Sequence, residues 1–277
     1  MTITIETITP AAASEMLTRN KNNRPIRSRI VERLARDMKA GNFKTTHQGI
    51  AISEDGNILD GQHRLTACAL SGVSITLPVA RGMKTELMDY VDTGIKRNYG
   101  DRAVLVGKYD DNPNLRRTQT VSFIRKLIQL GYNANLQPSD YEIDRFIAKY
   151  YDEVLGVANA VGGKGGASAP INAAALAAAL CGEKTSDIAL FYHVFLNGDT
   201  TGCFGCNTTA GFNFSRIILD AKTKGMSINP PRLFSMAQNA IYLFLRTSTP
   251  VHIIRETKTP RYPVEDKIKA LFEGDEK

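Results

Sequence analysis

The stretch from Gly49 to Leu70 constrains the fold of this chain more than any other. Gly49-Ile50-Ala51-Ile52-Ser53 has strand character, Glu54-Asp55-Gly56-Asn57 has hairpin-turn chemistry, and Ile58-Leu59 begins a second short strand. Leu65 to Leu70 has helical character and stops at Ser71-Gly72, a helix-ending signal. Between strand and helix stands Asp60-Gly61-Gln62-His63-Arg64-Leu65. The chain must therefore turn sharply at Gly61, where a residue without a Cβ is easily accommodated. Backbone N–H groups and the positive end of the helix dipole gather at such a turn, which suits an anion such as a phosphate. Arg64 adds a rigid cationic fork and His63 a titratable donor.

Each residue of the turn also has a structural reading. Asp60 can cap the helix as well as bind a metal or ligand. Arg64 can pair with Asp60 or Asp92 and hold the turn, although the turn geometry favours phosphate binding. His63 can be a half-buried histidine with satisfied nitrogens, or an acid–base group. Gln62 has no evident structural reason to stand where it does.

The landmarks from about Asn22 to Asp101 resemble the ParB/sulfiredoxin superfamily, in particular its DGQHR-bearing branch of phage and mobile-element type. They are Asn23-Arg24, Asp37-Met38-Lys39-Ala40-Gly41-Asn42-Phe43, the Asp60–Leu65 motif, and Val91-Asp92-Thr93-Gly94-Ile95-Lys96-Arg97 with Asp101 after it. The resemblance implies a nucleotide- or phosphate-binding pocket, in which a Gly-x-x-Arg turn holds the phosphates of CTP or ATP. Gly61 and Arg64 match that turn, and His63 matches the histidine of the sulfiredoxin Gly-Cys-His-Arg version. Gln62 stands where sulfiredoxins carry their catalytic cysteine, so sulfinic acid reduction is not expected. The Glu-Asn-x-x-Arg segment of the chromosome-partitioning CTPases is missing too. In related proteins the Asp92–Arg97 string lies beside the histidine-arginine turn. Thr93, Gly94, Lys96 and Arg97 join Gly61, Gln62, His63 and Arg64 as expected phosphate ligands, with Asp60 and Asp92 as expected Mg²⁺ ligands. On chemistry alone the string is equally a capped helix start with an exposed Arg97–Asp101 pair, worth about 0.3–0.5 kcal/mol.

Charge points to a partner. The formal net charge is +7, and nine Lys/Arg against only Glu32 and Asp37 lie between Arg19 and Lys44. The remainder is therefore close to neutral. Ser28 can cap a helix ending at Gly41, with Ile30, Leu34 and Met38 as its buried stripe and Arg29, Arg33 and Arg36 on another face. With Arg24, these arginines form a basic ridge suited to nucleic acid, DNA above all; a solvated helix face is the plainer reading.

The surrounding pattern predicts an α+β fold. Thr2–Ile8 alternates as a first strand with its isoleucines on one face, and Thr9-Pro10 opens a helix through Leu17. Ser74–Ala80 is a further strand, Pro78 suggesting an edge or a bulge. Thr85–Val91 reads as a short helix. Residues 1–108 thus form a small mixed-sheet ParB/sulfiredoxin-like domain, and 109–277 an α-helical domain of no evident family. The latter's helices are expected over Thr118–Leu130, over one long run Tyr141–Val161 capped by Ser139 with Glu142 completing a capping box, and over Pro170–Leu180, Ser186–Leu196, Pro231–Leu245 and Val264–Phe272. Asn197–Asn213 reads as a long polar loop with Phe204 and Phe212, and Gly162–Ser168 as a flexible connector lacking Walker spacing. Cys203-Phe204-Gly205-Cys206 has no second cysteine pair or near histidine for a zinc site and reads as reduced cysteines in a loop.

No apolar run is long enough to span a bilayer and no basic-then-apolar leader is present, so a cytoplasmic protein is expected, in the host cytoplasm if phage-encoded. Relatives often dimerise, although no coiled-coil heptads occur here. The leading expectation is a nucleotide-binding, DNA-associated protein holding a nucleoside triphosphate (CTP or ATP) with Mg²⁺. The alternatives are a Mg²⁺-dependent NTPase, phosphotransferase or nuclease using His63 as acid or base and Asp60, or a phage factor that captures a host signalling nucleotide.

Overall fold

The structure, a computed structural model, describes residues 1–21, 23, 25–84, 98–105, 107–162 and 167–272. The chain is mixed α/β and mostly helical: among the described residues it has one four-stranded sheet and twelve α-helices. It divides into two compact units. The sheet unit holds residues 1–96 and 135–141, and the helical unit holds 97–134 and 142–277. No helix among the described residues is long and apolar enough to cross a membrane.

In the sheet unit, β1 (Thr2–Ile8) leads into α1 (Pro10–Leu17), whose N-terminus is capped by Thr9 accepting from the Ala12 N–H at 3.2 Å. Then come α2 (Ser28–Lys39), β2 (Ile50–Ser53), β3 (Ile58–Asp60), α3 (Gln62–Ser71) and β4 (Ile75–Met83). The sheet order is β1-β4-β2-β3, with β4 antiparallel to β1 and parallel to β2, and β2 antiparallel to β3. Strand residues Ile8, Ile50, Ile58, Ile75, Leu77 and Val79 meet Ala13, Val31, Ala35, Met38, Leu65 and Cys68 from the three helices in one buried core.

Several expectations change here. β4 is an interior strand, so Pro78 marks no edge, and it marks no bulge either: the register shift against β2 falls between the Ala51↔Ala80 and Ser53↔Met83 pairs, while Pro78 sits just before Val79, the first residue paired with β2. The isoleucines of β1 do not share a face. Ile8 has the opposite parity and alone is buried (4% exposed), while Ile3 and Ile5 are 61% and 65% exposed. In α2 the buried stripe is Val31, Ala35 and Met38, and Ile30 and Leu34 are only half-buried on its flank. Ser28 is the first helical residue rather than the cap, and Arg27 at the cap position makes no side-chain cap bond.

The helical unit runs through α4 (Tyr99–Leu105), a 3₁₀ turn at Pro113–Arg116, α5 (Thr118–Gly131), α6 (Asp140–Lys149), α7 (Tyr151–Val161), α8 (Ala169–Leu180) and α9 (Thr185–Tyr192). A π turn at His193–Asn197 follows, then α10 (Thr208–Thr223), α11 (Pro230–Arg246) and α12 (Glu265–Phe272). The first two residues of α6, Asp140 and Tyr141, belong to the sheet unit. The apolar period of α5 is buried as its spacing requires: Val121, Ile124, Leu127 and Ile128 all lie inside. In α8 every residue from Pro170 to Leu180 is buried. Its one interior polar side chain, Asn172, accepts from the Tyr192 hydroxyl at 2.8 Å. Phe191, Phe195, Phe214 and Phe244 form an aromatic cluster with centroids 5.2–6.3 Å apart.

The run expected from Tyr141 to Val161 is two helices. Tyr150 leaves helical dihedrals (φ −123, ψ 43), and its carbonyl accepts from the Val154 N–H at 3.0 Å to start α7. The expected loop from Asn197 to Asn213 ends early, because α10 begins at Thr208. Thr208, Thr209, Gly211 and Asn213 are weak helix formers, but Gly211 supplies close packing. A Cβ there would stand 2.7 Å from Val194 Cγ1. Tertiary contact with the π turn thus outweighs local propensity.

Candidate functional site

The Asp60–Arg64 turn is built as the sequence requires, and its parts are engaged in holding the sheet unit together. Gly61 occupies the N-cap position of α3 in the left-handed region, with φ +97. A Cβ there would approach Ile50 Cγ1 to 2.9 Å and Ile50 Cα to 3.2 Å, so both conformation and space call for glycine. Gly61 brings no side-chain cap to the helix. Helix α3 ends on Gly72, again left-handed at φ +71, whose N–H donates to the Cys68 carbonyl at 3.2 Å.

Arg64 lies on the first turn of α3 with 21% of its side chain exposed. Nη1 donates to the Gly49 carbonyl at 2.9 Å and Nη2 to Gln48 Oε1 at 3.3 Å. Nη1 also stands 3.6 Å from Asp60 Oδ2, so the expected Asp60 pairing is present. A guanidinium has five N–H donors, and these bonds use two of them. Gly49 is itself required: a Cβ would fall 1.8 Å from the Pro78 carbonyl oxygen. The loop before β2 is thereby pressed against β4 and offers its carbonyl to Arg64.

Gln62 does have a structural task. It is buried (4% exposed), and its Oε1 accepts from Asn20 Nδ2 at 3.0 Å. Asn23 Nδ2 donates in turn to Asn20 Oδ1 and to the Ile58 carbonyl, both at 2.6 Å. His63 Nε2 accepts from the Arg27 backbone N–H at 3.1 Å. In the neutral ring, Nδ1 therefore carries the proton. Gln62 and His63 thus fasten the segment between α1 and α2 over the start of α3. The amides of Asn20 and Gln48, which bond Gln62 and Arg64, form the part of the site that charge and motif reasoning passes over. Isolated amides carry no signal until the chain brings them together.

Of the expected basic ridge, Arg29 donates to Asn135 Oδ1 at 3.0 Å and Arg36 to the Gln137 carbonyl at 2.8 Å. Both hold the 135–141 segment onto the sheet unit. Arg33, half-buried on the same helix, makes no hydrogen bond or ion pair among the described residues. Arg19, Lys21, Arg27 and Lys39 are exposed. Asn98 and Asp101 cap the start of α4 reciprocally, each backbone N–H donating to the other's side chain at 3.0 Å. Arg24, Asp92, Thr93, Gly94, Lys96 and Arg97, with the expected Thr85–Val91 helix, lie outside the described residues. Among the described residues no three His, Cys, Asp or Glu gather to hold a metal ion. Asp60, the described half of the expected Mg²⁺ pair, faces the Arg64 guanidinium.

No family model, no curated protein and no solved structure matches the chain.

Proposed function

We propose that the sheet unit binds the phosphates of a nucleotide at the Asp60–Arg64 turn, and that the chain acts beside DNA as a ParB-like protein of phage or mobile-element type. The observation that supports this reading most is Arg64. It is a partly exposed guanidinium with N–H groups left uncommitted among the described residues, fixed by the Gly49 carbonyl at the positive end of α3. An anion there would meet a preorganised fork and a helix N-terminus together. Arg33 and the exposed Arg19, Lys21, Arg27 and Lys39 favour a polyanionic partner nearby, through contacts to backbone phosphates.

The Mg²⁺-dependent enzyme has less beneath it. His63 Nε2 is already an acceptor for a backbone N–H, and Asp60 already has a cationic neighbour. The described donors alone do not fit a divalent ion, and we assign no step to one.

Calorimetric titration of CTP, ATP and other nucleotides, with and without duplex DNA, tests the reading on wild type, Arg64→Ala and Arg64→Lys. Loss of a charge-assisted bond of about 1.5–3 kcal/mol weakens binding by roughly 10- to 150-fold in Arg64→Ala. Arg64→Lys, which keeps charge without the fork, falls between. Wild-type protein that binds no nucleotide, or a well-folded Arg64→Ala that binds as tightly as wild type, would sink the proposal.

A further inference from the structure

The outer edge of the sheet is left open in a way that fits one occupant. β1 is one of the two terminal strands, the other being β3, and no strand among the described residues pairs with its outer side. Its register with β4 runs unbroken from Thr2↔Arg81 to Ile8↔Ile75, without a bulge. The strand contains no proline, lysine or arginine, which are the usual protections of an exposed edge. Its single charge, Glu6, is bound by Arg81 on β4. Ile3 and Ile5 stand on the face opposite the buried core, each more than half exposed. Seven residues rich in alternating Thr and Ile, with free edge hydrogen-bonding groups, form a template for another strand.

We propose that this edge pairs with the same edge of a second copy, antiparallel about a two-fold axis through Thr4. That register sets Thr4 against Thr4 and Ile3 against the second copy's Ile5, twice over, so both exposed isoleucines gain β-branched partners on one face. Glu6 falls opposite Thr2, away from its own symmetry mate. An axis through Glu6 would instead place two carboxylates directly opposite each other. The self-complementary pattern makes the contact isologous and closed, giving a dimer whose two four-stranded sheets run on as one, instead of an open fibre. A single strand edge is a small interface, so the dimer is expected in the micromolar range.

Sedimentation across a concentration series tests the pairing on wild type, Ile3→Lys, Ile5→Glu and the double variant I3K/I5E. The substituted side chains are exposed, and circular dichroism checks that each variant keeps its fold. Wild type is expected to dimerise, and each single variant to lose at least about tenfold in dimer affinity by removing apolar contact. The double variant sets the introduced lysine of each copy against the introduced glutamate of the other, at both ends, and is expected to dimerise again. A wild type that stays monomeric at hundreds of micromolar overturns the proposal; the edge then awaits another protein's strand. Single variants that dimerise like wild type overturn it as well, as does a folded double variant that stays monomeric.

Discussion

The sheet unit and the helical unit differ in how completely they enclose their apolar surface. The helical unit encloses an alanine-dense helix with no outward side and clusters four phenylalanines around its neighbours. Its interior is cohesive because apolar surfaces meet, and buried amides add to that: Asn172 accepts from Tyr192, while Asn207, Gln238 and Asn239 bond the chain after α11. The sheet unit covers one face of its sheet with helices and leaves Ile3 and Ile5 on the other. It joins its loops through polar groups: Asn20, Asn23 and Gln62 in one chain of amides, and Arg64 on the Gly49 carbonyl. Residues that resemble a ligand site are thus also the fasteners of this unit. A motif can be indispensable for folding and still be placed for binding, and only experiments that separate the two effects assign it.

The contrast can be attacked directly. Phe191→Ala should be the most damaging change, costing about 3–5 kcal/mol because the ring is fully buried among Phe195, Phe214 and Phe244. Hydrogen exchange in mild urea should show the loss in helical-unit amides first. Equal loss of protection in β2, β3 and β4 would mean that the units do not differ as described. Gln62→Leu should cost about 1–3 kcal/mol, since it strands the Asn20 amide against an apolar side chain. Accelerated exchange should then concentrate in α1 and α3; a neutral result would show that the amide chain contributes little. The smallest effect concerns Glu6. The hydrogen bond from Arg81 holds its carboxyl below the ordinary value of 4.5, so the pair stabilises the fold above that pH. That contribution is lost as pH falls through the depressed folded value. Arg81→Gln should cost about 0.2–1 kcal/mol at pH 7, with the difference from wild type vanishing in acid. Melting temperatures measured between about pH 7 and the acid limit of the depressed carboxyl check it, and a gap that widens in acid would contradict the assignment.

How much is legible in the sequence varies with the kind of force at work. The β2–turn–β3–Gly61–α3 passage is readable because hairpin chemistry, a left-handed glycine and a helix stop all act locally. Helix α5 is readable from its apolar period. Helix α10 is not, because Gly211 serves a contact with Val194 that no local preference announces. The break at Tyr150 follows no proline or glycine, and the Tyr150 hydroxyl reaches the Lys267 carbonyl at 3.1 Å from the far end of the chain. In β1 the alternation is plain, yet Ile8 lies an odd number of residues from Ile3 and Ile5. One residue of parity decides which isoleucines are inside. At the site, glycine, arginine and the motif's Gln62 announce themselves, whereas Gln48 and Asn20 acquire meaning only once folded against them.

Helix α8 carries a consequence for how this protein is made. It packs against α5 and α7, which precede it, and against α11, which follows. During synthesis its apolar surface must wait for the ribosome to travel from Leu180 to Arg246, roughly 3–13 s at ~5–20 residues per second. A strand of this hydrophobicity would wait with its backbone bare and ready to aggregate. Six alanines between Asn172 and Leu180 let the segment coil early, because alanine has the highest intrinsic helix propensity. Each time it coils, the amides of its middle turns are internally satisfied, and the nascent chain shows methyl groups there instead of open hydrogen-bonding sites until α11 arrives.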